Sequence, residues 1–186
     1  CPATLGKPYA LALPPMRVAA WPHLGEGLGA PSVWVNVGRW GCENGLLTPH
    51  TLPVSVLHDD EGIAPSAHAR LDAALVIAPD WTPADAETLP LLYDLPGGRH
   101  AIAPFEGSLY QLEAAWNHFA LRWFPASGHA LRDPRLLMLH DADDVPTRAC
   151  EFFPLLAGRV IRCRLCIPVD HVPAPGLPPI QSACMR

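Results

Sequence analysis

The chain has 186 residues, enough for one domain or two small halves sharing a core, and 49% of them are hydrophobic. Only 17% are charged, the net charge is −5, Lys7 is the sole lysine and no basic run occurs, which argues against a grip on a nucleic-acid backbone. No apolar stretch reaches about 18 residues, so no membrane-spanning helix is expected. The cysteines at 1, 42, 150, 163, 166 and 184 show no framework spacing, which fits reduced thiols in a cytoplasmic protein. A chain that starts at Cys1 rather than a methionine reads as a piece of a longer protein, although a lipoprotein cleaved before its cysteine would start the same way.

In chain order, Met16 to Pro22 reads as a short strand, and Gly25 to Pro31 as a Gly/Pro-rich link. A helix is predicted from about Ser32, with Val33, Trp34, Val37, Trp40 and Gly41 at helical spacing and Asn44-Gly45 as its stop. Pro53 to His58 is the next strand, Asp59-Asp60-Glu61-Gly62 its turn, and Arg70 to Ala78 the third strand. Arg99 to Phe105 opens a second set. Ser108 and Gln111 form a capping box before a helix whose Leu112, Trp116, Phe119 and Trp123 make one apolar stripe. Pro125 is expected to end it. Arg135 to His140 is a strand and Asp141 to Pro146 a turn. After an insertion at Cys150 to Gly158, Arg159 to Val169 is the last strand. The Pro-rich tail, residues 171–186, is expected to be disordered.

The two sets are copies. Leu13, Pro14, Arg17, Ala19, Pro22, Gly25, Trp34, Leu57, His58 and Asp59 each recur 82 positions later, as Leu95, Pro96, Arg99, Ala101, Pro104, Gly107, Trp116, Leu139, His140 and Asp141. Chance would give roughly three such identities over that span. The expected fold is α+β. Duplicated β-α-β-β units, repeat 1 over about 13–80 and repeat 2 over about 95–170, are related by a pseudo-two-fold. They form two three-stranded antiparallel sheets or one merged sheet with both helices on one face. The groove shared by the halves is the natural ligand site.

Several patterns invite sharper chemistry and are better read as structure. Cys163-x-x-Cys166 lies in a strand, where positions three apart face opposite ways, and no second such pair supplies a zinc site. His58-Asp59-Asp60 and His140-Asp141 read as turns at equivalent strand ends, because aspartate side chains bond the turn backbone. Ser55 and His58 fall on opposite strand faces, so no nucleophile triad is visible. No metal, cofactor or catalytic residue is assigned.

Pro15-Met16-Arg17-Val18-Ala19, then His23-x-Gly25, Trp34, Trp40 and Gly45-Leu46, resembles the opening of GyrI-like small-molecule-binding domains. These include the effector-binding domains of AraC-type and MerR-type transcription regulators. Leu95-Pro96-Gly97-Gly98-Arg99, Phe105-x-Gly107 and Trp123-Phe124-Pro125-x-Ser127-Gly128-x-x-Leu131-Arg132-Asp133 are similar to that family's second half. Arg70 to Ala74 and Cys166 to Val169 match its mid-domain and closing strands. The resemblance covers about 10–170. It implies a cleft between the halves, an aromatic cage and a buried glutamate that neutralises cationic ligands. Aromatic faces with one carboxylate are what a lipophilic cation requires.

Two positions depart from that pattern. The family's acid on the second-copy middle strand falls at Leu136, and the aspartate of its closing strand at Arg164. Glu113 and Glu151 are the acids that could substitute for it, neither at the family position. A neutral apolar ligand is therefore expected, or an anionic one if Arg164 faces the cleft. The candidate ligand-binding residues are Trp21, Trp34, Phe105, Trp116, Phe119, Leu136, Met138, Arg164 and Cys166. The implied role is the effector-binding domain of a bacterial transcription regulator, contacting DNA only through a separate DNA-binding domain and able to act as a homodimer. The alternatives are a stand-alone protein that sequesters a toxin or contacts gyrase, and a hydrolase of strained natural products. The last is disfavoured because acid-base chemistry needs a titratable group in reach.

Overall fold

The computed structural model describes residues 4–25, 31–58, 69–83, 90–141 and 160–170. The turn after His58, the insertion at 150–158 and the tail lie outside them. Ten strands are described: β1 (Thr4–Leu5), β2 (Tyr9–Leu13), β3 (Met16–Leu24), β4 (Pro53–Leu57), β5 (Arg70–Ile77), β6 (Leu91–Leu95), β7 (Gly98–Gly107), β8 (Ala130–Leu131), β9 (Leu136–His140) and β10 (Ile161–Asp170). All the pairings are antiparallel within one merged sheet of order β1-β7-β10-β9-β4-β5-β3-β6, with β2 beside β7 and β8 beside β10.

Helix α1 (Pro31–Glu43) ends as its sequence dictates. Gly45 takes the left-handed conformation (φ 66°), and the N–H groups of Gly45 and Leu46 donate to the carbonyls of Cys42 and Gly41. Helix α2 begins with Leu109–Asn117, where the Ser108 N–H donates to Gln111 Oε1 at 2.9 Å. It widens into a π-turn at His118–Trp123 and finishes with a last α-turn, Phe124–Ala126. Pro125 therefore does not end this helix. It sits in the first turn of the resumed α-segment, where a missing N–H costs nothing, and Gly128 (φ 73°) makes the stop.

The edge strands were not legible as part of the repeat. β2 is joined to β3 by Pro14-Pro15 alone, yet it pairs with β7, Leu13 opposite Gly98. β6 is joined to β7 by Pro96-Gly97, yet it pairs with β3, Leu95 opposite Met16. Each repeat is thus β-β-α-β-β with its first strand given to the other copy. A two-residue link spans at most about 11 Å, so β3 and β7 start side by side and the sheet must roll. The two links touch: a Cβ on Gly97 would lie 2.5 Å from Pro15 N and 2.7 Å from Leu13 O.

Both faces of the sheet are apolar. One face packs Val33, Trp34 and Val37 of α1 and Leu112, Ala115, Trp116 and Phe119 of α2 against Ala19, Ala73, Ala103, Met138 and Leu165. The other gathers Leu13, Met16, Val18, Val54, Val56, Leu95, Ile102, Leu137, Leu139 and Cys166 inside the roll.

The repeats match with one slip. Trp21 pairs with Ala73 as Ala103 pairs with Leu165, so β3 and β7 keep the offset of 82. Val54 pairs with Ala74 as Leu137 pairs with Cys166, so β4 and β9 are offset by 83. One residue of slip reverses the face of every side chain. Leu57, not His58, is the counterpart of His140, and the two histidines leave the sheet on opposite sides. The expectation of equivalent His-Asp junctions is corrected accordingly.

Gly97→Ala should cost on the order of 2 kcal/mol or more, because backbone rather than side chain obstructs its Cβ. Gly45→Ala, with open space around it, should lose only about 1 kcal/mol from its positive φ. Urea unfolding of both variants checks the ranking; equal losses would refute the close approach.

Candidate functional site

The pseudo-two-fold passes through the paired residues Ser55 and Met138, on adjacent strands β4 and β9 at the centre of the sheet. Ser55, Leu57, Leu136, Met138 and His140 alternate onto the helix-bearing face and make a floor. Trp34 of α1 and Trp116 and Phe119 of α2 stand over it. Trp34, Trp116, Phe119 and Met138 are all buried, whereas Leu136 and His140 at the two ends of β9 are only partly covered.

Polar chemistry on this floor is sparse. Ser55 Oγ and His140 Nε2 share a hydrogen bond of 3.1 Å, and Ser55 is fully buried. The Trp34 ring meets the His140 ring edge to face at 5.3 Å, so the first repeat's helix touches the second repeat's strand. Burial pushes the His140 imidazole down to about 4, which leaves it neutral near pH 7. The Trp116 Nε1 donor is buried without a partner among the described residues. The site therefore offers aromatic faces, one neutral polar pair and one unmet donor, and its floor carries no carboxylate.

The structure does not bring all the candidate residues together. Leu136 and Met138 join Trp34, Trp116 and Phe119. Arg164 and Cys166 lie on the opposite face, because β10 turns Cys163 and Leu165 towards the helices. Burial also lifts the Cys166 thiol to about 12, which keeps it protonated. Trp21 belongs to a separate tryptophan trio, its ring 4.8 Å from Trp40, which in turn lies 5.3 Å from Trp81. Phe105 borders a groove on the outer side of α2.

A second polar cluster lies on the face inside the roll. The Tyr93 hydroxyl and His58 Nε2–H both donate to Asp72 Oδ2, at 2.7 and 2.8 Å. Burial works against the Asp72 carboxylate, but these two bonds outweigh it and hold it below its ordinary value. Neither this cluster nor the Ser55–His140 bond was visible beforehand. Ser55 and His140 are 85 positions apart, and only the pairing register joins them. Among the described residues no group of three or more histidine, cysteine, aspartate or glutamate side chains converges as a metal site, and no helix is long and apolar enough to cross a membrane.

A profile of the GyrI-like small molecule binding domain matches residues 7–147. The chain belongs to the GyrI-like family. Its fold is similar to the crystal structure of the EcmrR C-terminal domain, with a TM-score of 0.65 at 12% identity, covering 89% of this chain and 98% of that one. It is also similar to EcmrR in a cryo-EM EcmrR–DNA complex, with a TM-score of 0.64 at 13% identity; there the match covers 89% of this chain but 58% of the other. SAV2435 bound to tetraphenylphosphonium gives 0.51 at 8% identity, over 88% and 94% of the two chains. At these identities the likeness is one of fold. No curated protein matches the sequence. In this GyrI-like domain the position that resembles the family's central acid, Leu136, does lie on the floor beneath the helices, and Arg164 does not.

His140 also makes stability pH-dependent. Its folded-state value is depressed, so stability is present above about 6.5 and is lost as pH falls towards 4, where the unfolded chain takes up a proton the native chain refuses. His140→Gln should remove about 2 kcal/mol of the acid-induced loss between pH 7 and 4.5. Urea unfolding at the two pH values measures it. An unchanged difference would show that His140 titrates normally.

Proposed function

We propose that this domain is the effector-binding part of a bacterial, cytoplasmic transcription regulator and that its ligand is an uncharged aromatic molecule held between α1 and α2. The observation that carries the ligand class is the floor itself. Leu136 stands where the family resemblance puts an acid, and the polar groups present, Ser55 and His140, form a neutral hydrogen-bonded pair. A buried cation without a counter-charge is costly, whereas a neutral ligand with one acceptor suits a site with an unmet indole donor. The regulator role is supported by family membership and by likeness to a domain whose parent chain occurs in a DNA complex. This chain spans 58% of that parent, and a DNA-binding domain of MerR or AraC type would supply the rest. Regulation then requires that the ligand favour one conformation of the whole regulator over another.

The domain acts by binding rather than by catalysis on this reading. Ser55 and His140 are within hydrogen-bond distance, but Ser55 is fully buried and no described carboxylate is hydrogen-bonded to the other nitrogen of the His140 ring.

The test is a thermal-shift titration with matched probes. Triphenylphosphine oxide, neutral with one acceptor, should raise the melting temperature by a few degrees at saturating concentration, and tetraphenylphosphonium should not. Leu136→Glu should reverse that preference. Equal stabilisation of the parent by the cation would overturn the assignment of a neutral ligand.

A further inference from the structure

Beside α2, on the side away from the inter-helix floor, an open groove of roughly 590 Å³ separates the helix from the β1–β2 connection. That volume falls within the usual range for small-molecule sites. Phe105 and Trp123 supply aromatic walls, and Ala114 and His118 lie along the helix side. Tyr110, at the lip, is 91% exposed, the most exposed large hydrophobic side chain among the described residues. Lys7, the chain's sole lysine, borders the groove, and no aspartate or glutamate does.

The two repeats differ around this helix. In the first repeat Trp21 and Trp40 meet edge to face at 4.8 Å. The repeat offset replaces them with Ala103 and Arg122, the latter exposed. The π-turn at His118–Trp123 then brings the Trp123 ring onto Phe119, stacked at 5.3 Å, where it walls the groove instead of plugging it.

We propose that this groove is a second ligand site, distinct from the inter-helix floor, and that it takes a planar aromatic acid. The ring lies between Trp123, Phe105 and Tyr110, and the carboxylate meets the Lys7 ammonium. Tyr110 would lose its exposure on closure over the ring. A cation finds no counter-charge among the lining side chains.

Isothermal titration calorimetry of the intact chain with naphthalene-2-carboxylate, 2-naphthol and 2-naphthylmethylammonium tests this. The carboxylate should bind at least tenfold more tightly than the ammonium analogue. Lys7→Met should cut that preference to threefold or less. Ala114→Trp, at an exposed helix position, should fill the groove and weaken naphthalene-2-carboxylate at least tenfold, while the shift with triphenylphosphine oxide persists. No carboxylate binding at millimolar concentration, or binding indifferent to both substitutions, would overturn the proposal. If triphenylphosphine oxide fails but the naphthalene results hold, the inter-helix reading falls and this one stands.

Discussion

The exchange of first strands between the two repeats is the constraint from which the rest of the architecture follows. Pro14-Pro15 and Pro96-Gly97 join β2 to β3 and β6 to β7 without a hairpin, and each of those first strands pairs across to the other repeat. Each copy therefore completes the edge of the other, and the sheet closes over the cluster around Met16, Ile102 and Leu137. Gly97 is required because the links cross backbone against backbone. With its outer strands tied in this way the sheet's centre is fixed, and β4 and β9 are held together as the floor between the helices.

That centre carries the chemistry of the site. The frame, with two helices over a two-fold strand pair, belongs to GyrI-like domains as a group. What the frame presents is local: Leu136 on the floor, a buried serine bonded to a desolvated histidine, and an indole donor with no partner among the described residues. The desolvation of His140 and the absence of a floor carboxylate act in the same direction, since each makes positive charge expensive there. On the other face Asp72 is ionised and doubly bonded, so the two sides of one sheet have opposite electrostatic characters although both are largely apolar.

Much of this was legible in the sequence. The constant offset exposed the duplication, and the periodicity of Val33, Trp34 and Val37 and of Leu112, Trp116 and Phe119 marked the apolar side of each helix, while two sheets or one merged sheet stayed open alternatives. The alternation of β10 separated Cys163 from Cys166. The exchanged strands were not legible: no strand is assigned from sequence at Tyr9–Leu13 or Leu91–Leu95, and only long-range pairing reveals their partners. Pro125 misled because a proline is tolerated one position into a restarted helical turn. Arg164 was placed on a matching motif alone, although strand period puts it opposite Cys163. The slip between β4 and β9 was hidden by the very identities that revealed the repeat: Leu57-His58 and Leu139-His140 align in sequence and face opposite ways in space.

That slip bears on how a guest molecule would lie. A cleft with true two-fold symmetry presents identical surroundings to both ends of whatever enters it, and an unsymmetrical molecule could settle in either of two reversed poses. Here Leu57 stands at one end of the floor and His140 at the corresponding place on the other, with Ser55 facing Met138 between them. A single-residue displacement has turned duplicated sequence into a surface with a head and a tail. A molecule with one polar end can then be read in one direction only.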